Sequence, residues 1–196
     1  MEIFDISQEL FNSVVFEGDP RPEKQIIAKI PQSPCNLSAL SMCAHNGTHI
    51  DAPFHFINDG KTIESLELNK MVGYAFVCEC SGQINKNEAL EIVKKAKAEQ
   101  GDAYKRLLLK GKIELSNEGA SVFVDAGIYL IGVESQTVGP ESAPMQVHKT
   151  LLESEIVILE GIRLKEVEQG TYLLCSAPLK LEGLDGSPCR AILIKM

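Results

Sequence analysis

Nowhere in the 196 residues does an apolar run approach the roughly 18 residues that a bilayer-spanning helix needs, so no membrane partner is expected. Positive charge is scarce too. Lys and Arg number 19 against 27 Asp and Glu, a net charge of −8, which removes the basic face that a nucleic-acid partner would require. The six cysteines, at positions 35, 43, 78, 80, 175 and 189, include no C-x-x-C pair, which argues against a zinc ribbon or a thioredoxin-like redox site. Cys78 and Cys80 form the one close pair and read as small side chains on one side of a strand. The opening MEIFDISQEL lacks the positive segment and continuous apolar stretch of a secretory signal, so a cytoplasmic location is expected. No repeat, low-complexity tract or long linker interrupts the chain, and its length suits one domain spanning 1–196.

What remains is an ordinary soluble composition, 44% hydrophobic and 23% charged, rich in short aliphatic runs. Strands are predicted at 25–30, 36–44, 72–79, 106–110, 128–133, 156–159, 171–181 and 190–194. The clearest helix lies in NEALEIVKKAKAEQG, with Asn87 as its N-cap, Ala89, Ile92, Val93 and Ala96 at helical spacing, and Gly101 beyond its end. Two further helices are predicted at 116–124 and 148–154, each just before a strand. Helix-then-strand units followed by a strand-rich C-terminus predict an α/β or α+β domain with a sizeable mixed sheet.

Histidine is rare, with four in all, yet three of them fall in AHNGTHIDAPFHF, residues 44 to 56. His45, His49, Asp51 and His55 are all at odd positions, so an extended chain turns them to one side and Ile50, Phe54 and Phe56 to the other. Gly47 and Pro53 disfavour a helix here. Full extension would separate the His45 and His49 backbones by roughly 13 Å, too far to share an ion held at about 2.1 Å from each nitrogen. A bend is therefore expected between them, and Asn46-Gly47 is a strong turn pair. Three histidines and an aspartate with this one-sided spacing point to metal binding or catalysis. A site of His45, His49 and Asp51 would be sufficient for one ion with an open position. The fourth histidine, His148, opens the predicted helix HKTLLESE, and Glu160 ends the run IVIL; on spacing alone, both also read as ordinary helix-start and strand-end residues.

The stretch HNGTHIDAPFH, read as HxGTHxDxPxH, resembles the signature of the cyclase family, which includes bacterial kynurenine formamidases and isatin hydrolases. The resemblance extends through FDISQEL, FEGDP, GIYLIGVES, HKTLLESEIVILEGI and APLKLEGLDGSPCRAIL. It implies that His45, His49 and Asp51 bind metal, that Asp51 can bridge two ions, that His148 and Glu160, twelve positions apart, complete the two-metal site, and that His55 donates and accepts protons. It further implies an α/β fold of the swivelling β/β/α type, three layers with mixed sheets, assembled as a homodimer or homotetramer. Where the formamidases commonly place a substrate-lining tryptophan before the GD of an early turn, this chain has Phe16; TVGP at 137–140 also lacks the aspartate common before that proline.

The activity so implied is cleavage of an amide carbonyl of a small substrate, an aryl formamide such as N-formylkynurenine or a cyclic amide, by metal-activated water. Zinc is the first choice of ion and manganese its rival, given the oxygen donors. His55 would protonate the departing amine. The competing expectations are a dehydrating cyclase or lactone hydrolase, and a non-catalytic metal-bound sensor on the same scaffold.

Overall fold

Thirteen strands and three α-helices form among residues 1–195, which the computed structural model describes. In chain order the first half contains β1 (Glu2–Asp5), β2 (Glu23–Ala28), β3 (Leu37–Ser41), β4 (His49–Asp51), β5 (Val72–Glu79), β6 (Gly82–Ile84) and α1 (Lys86–Lys97). The second half contains β7 (Arg106–Lys110), β8 (Ile113–Leu115), α2 (Asn117–Asp125), β9 (Leu130–Val133), α3 (Met145–Glu153), β10 (Val157–Glu160), β11 (Gly170–Cys175), β12 (Gly186–Pro188) and β13 (Ile192–Lys195).

Nine strands make one mixed sheet in the order β1-β13-β11-β5-β7-β9-β10-β4-β12. Its centre, β5, β7, β9 and β10, is parallel, and the flanking pairs are antiparallel. Helices α2 and α3 precede β9 and β10, the two helix-then-strand units expected, and α1 precedes β7. The central strands are buried on both faces, which is why RLLLK reads as an unbroken apolar run. Leu107 and Leu109 join Phe76, Ile131 and Ile158 under Ala89 and Ile92 of α1, Phe123 of α2 and Leu151 of α3. Leu108 points the other way, into a cluster with Val77, Leu130, Leu159, Ile50, Leu174 and Leu193. Among the described residues no α-helix contributes to that second cluster, which gathers side chains from the centre of the sheet and from its outer strands β4, β11 and β13. The result is a layered mixed α/β fold, compatible with the β/β/α arrangement.

Several boundaries differ from the sequence reading. The N-cap of α1 is Asn85, whose side chain accepts from the backbone N–H of Asn87 and Glu88, so Asn87 lies inside the helix. Helix α3 begins at Met145, which places His148 a turn inside it instead of at its start. The predicted strand 171–181 stops at Cys175. The predicted 25–30 and 36–44 strands exist as the hairpin β2–β3, but it stands apart from the main sheet with Ile26, Ile27 and Leu40 exposed.

Candidate metal centre

Strand β4 lies between β10 and β12, and its register sets the site. Glu160 pairs with His49, Ile158 with Asp51, and Gly186 with Asp51. Because side chains alternate along a strand, Ile50 enters the apolar cluster while His49, Asp51 and Glu160 share the opposite, helix-facing side. There α3 presents His148. The expected bend is present: Gly47 has φ of 70° and the His45 and His49 rings are 5.1 Å apart, edge to face. The stretch is not extended throughout, however; Pro53–His55 is a 3-10 turn, and it folds the His55 ring onto His45 at 4.0 Å between centroids.

The six predicted histidine and carboxylate residues, from both halves of the chain, converge. His49 Nε2 lies 3.3 Å from Asp51 Oδ1 and 3.4 Å from Glu160 Oε2. His148 Nε2 lies 3.2 Å from Glu160 Oε1 and 3.6 Å from Asp51 Oδ2, and His45 Nδ1 lies 3.0 Å from Asp51 Oδ1. The outer nitrogens are spoken for: His49 Nδ1 donates to the Gly47 carbonyl at 3.1 Å and His148 Nδ1 to the Pro144 carbonyl at 2.9 Å. With Nδ1 protonated, a neutral imidazole turns its Nε2 lone pair toward the carboxylates, an arrangement that only a cation between them makes favourable.

Without an ion, that cation must be a proton. Burial alone would lower His49, but its hydrogen bonds to Asp51 and Glu160 outweigh burial and raise it to about 10. Burial likewise opposes, and hydrogen bonds to Asp185 and Asp51 overcome, in raising His45 to about 9. Burial would raise Asp51, yet the facing histidines hold it well below the usual carboxylate range. His148 is raised in the same sense, chiefly by Glu160 against burial. His55 differs: burial dominates and lowers it, so it is neutral at pH 7.

A divalent ion fits this donor set. Asp51 Oδ2 is buried with no hydrogen-bond partner, which is costly unless something else satisfies it. Asp51 belongs to both groups of three ligand atoms lying within 4.8 Å of one another, His45–Asp51–His55 and His49–Asp51–Glu160. Imidazole nitrogens with carboxylate oxygens and no thiolate suit zinc or manganese.

The Cyclase family model, described as "Putative cyclase", matches residues 4–140, more than half of the sequence. The chain belongs to the cyclase family. Among its relatives, the kynurenine formamidase of Bacillus cereus is 36% identical over 209 aligned positions, covering 98% of this chain and 97% of that one. The kynurenine formamidase of Erythrobacter litoralis is 32% identical, with 97% and 93% covered. A solved structure titled "predicted metal-dependent hydrolase from Bacillus stearothermophilus" superposes with TM-score 0.79 at 27% identity, covering 98% of this chain and 97% of that chain. An isatin hydrolase bound to thioisatinate superposes with TM-score 0.85 at 18% identity, a likeness of fold, over 98% of this chain and 91% of that chain.

In this cyclase-family chain, Phe16 lines a cavity of about 200 Å³ together with His45, His49, His55, His148 and Glu160. Phe56 closes another side, its ring 4.8 Å from His148. Past Phe16, Gln136 and Thr137 the space continues into a groove of about 380 Å³ bordered by Arg163. Two contributors escaped the sequence reading. The Val138 backbone N–H donates to Glu160 Oε1 at 2.7 Å and fixes that carboxylate. Asp185 Oδ2 lies 2.9 Å from His45 Nε2 and 3.4 Å from His55 Nδ1, although it is far away in sequence and precedes a strand of only three residues.

Proposed function

We propose that this chain is a metal-dependent hydrolase that cleaves an amide carbonyl of a small substrate, an aryl formamide such as N-formylkynurenine or a cyclic amide. The relatives named kynurenine formamidase support the substrate class. The observation that carries the reading is the convergence of His45, His49, Asp51, His148 and Glu160, with histidine lone pairs and an unpartnered Asp51 oxygen aimed at one another. These residues would hold one or two divalent ions, zinc first and manganese as the rival. When bound, such an ion supplies Lewis acidity, polarising a carbonyl and bringing the pKa of water down toward about 7.

The remaining work falls to the protein. His55, held neutral by burial, directs Nδ1–H toward Asp185 Oδ2, which leaves its Nε2 as a proton acceptor. It takes a proton from the attacking water and returns it to the departing amine. Phe16 and Phe56 flank the cavity and offer apolar faces to an aromatic acyl or aniline group. Buried walls at His49 and His148 exclude bulk water from the polar end.

The assembly we propose is a homodimer or homotetramer, and the exposed Ile26, Leu37 and Leu40 of the β2–β3 hairpin supply apolar surface that an assembly would cover. The deciding experiment combines metal analysis with turnover of aryl formamides, an isatin-like lactam and simple lactones. Metal-dependent formamide or lactam cleavage is expected. Lactone turnover alone would move the protein to lactone hydrolysis, and tight metal without any turnover would make it a binding protein.

A further inference from the structure

His45 is the one histidine of the centre with a carboxylate at each nitrogen, Asp51 Oδ1 at 3.0 Å from Nδ1 and Asp185 Oδ2 at 2.9 Å from Nε2. A neutral imidazole carries one N–H, so it can donate to only one of them. The two carboxylates are not equivalent. Asp51 is 1% exposed, with an unpartnered oxygen, whereas Asp185 is 39% exposed and keeps its charge in water. The neighbouring histidines show which nitrogen faces inward: in His49 and His148 the outer nitrogen donates to a backbone carbonyl and the inner one meets the carboxylates. No backbone carbonyl occupies that outer place at His45. Asp185 does.

We infer that Asp185 is a positioning residue of the metal centre: its Oδ2 accepts the Nε2–H of His45 and thereby turns the Nδ1 lone pair of His45 toward Asp51. The inference rests on reading His45 as a metal ligand. Backbone geometry fixes the carboxylate in place. The Ala52 N–H donates to the Asp185 carbonyl at 2.9 Å, and the next residue, Gly186, pairs with Asp51. Gly186 also makes room for the imidazole, since a Cβ there would stand 2.7 Å from His45 Cε1. A ligating histidine whose other N–H is held by a carboxylate is oriented and made a better donor, and loss of such a partner typically weakens metal binding about 10- to 100-fold.

The test titrates Zn²⁺ alone into metal-free wild type, Asp185→Ala, Asp185→Asn and His45→Ala, against a competing chelator and without substrate. Asp185→Ala is expected to weaken Zn²⁺ binding about 10- to 100-fold. Asp185→Asn, whose amide oxygen still accepts the N–H, should recover part of the loss. Nitrogen-15 NMR of the histidine rings in the Zn²⁺-loaded protein should find His45 protonated at Nε2 in wild type and lose that proton's slow exchange in Asp185→Ala. Wild-type affinity in Asp185→Ala with weakened binding in His45→Ala would overturn the positioning role alone. Wild-type affinity in both would overturn His45 as a ligand. A wild-type His45 protonated at Nδ1 would also sink the inference.

Discussion

His49 and Glu160, from opposite halves of the chain, are cross-strand partners on β4 and β10, with Nε2 and Oε2 3.4 Å apart in a buried setting. This pairing makes the centre a property of the sheet as much as of the histidine-rich stretch. Shifting β4 by one residue would send His49 and Asp51 into the apolar cluster and Ile50 into the site.

Removal of His49 should abolish both metal and turnover. Metal content after His49→Ala, measured beside amide cleavage, checks this; a variant that keeps its metal would take His49 out of the ligand set.

His55→Ala should keep the metal and lose turnover by about 10²- to 10⁴-fold, the usual range for a general acid–base. Loss of metal in that variant would instead assign His55 to coordination, a role that its place in the His45–Asp51–His55 group allows.

The metal-free protein should lose stability as the pH rises. His45 and His49 are raised from 6.5 to about 9 and about 10, so their contribution is fully present below pH 6.5 and disappears as pH climbs through those folded values. Asp51, lowered, contributes in the other direction: its share is present above pH 3.8 and is lost as pH falls toward its folded value. Calorimetric melting of metal-free and Zn²⁺-loaded protein from pH 6 to 10 should show a falling Tm only without the ion. Zn²⁺ affinity should rise over the same range, because binding displaces protons.

Gly186→Ala should disturb the centre without touching a charge. The added Cβ would meet His45 Cε1 at 2.7 Å and the Ile50 carbonyl oxygen at 2.9 Å. A destabilisation of about 1–3 kcal/mol is expected from overpacking, with weaker Zn²⁺ binding. A melting curve and an affinity matching wild type would show that the β12 backbone yields freely.

Asn85→Ala should destabilise α1 by about 1 kcal/mol, whereas Asn87→Ala should be nearly silent, because only Asn85 caps the free N–H groups. Chemical denaturation of the two variants distinguishes them.

That last contrast shows where the sequence is legible. Two asparagines precede the same apolar stripe, and which one leaves the helix depends on the chain arriving from β6. Strands β5 and β7 match the predicted 72–79 and 106–110 because strands buried on both faces are continuous apolar runs. Strands β6, β8 and β12, three residues each, are too short for a period to register. QIIAKI reads like a core strand, yet Ile26 is 65% exposed, since burial is decided by what packs on the hairpin. The cluster at 45–55 announces itself by local spacing. Asp185 does not, because its contact with His45 exists only in the register of β12 on β4.

The position of β4 between β10 and β12 also orders the events of biosynthesis. His49–Asp51 leaves the ribosome early, but both of its sheet neighbours are encoded much later, the second ending at Pro188. At about 5–20 residues per second, the nascent His49 and Asp51 wait on the order of ten seconds for their partners. During that interval His49 and Asp51 lack the neighbouring strands that set their register in the sheet. The geometry of the centre is complete only when the last quarter of the polypeptide pairs β4 on both sides.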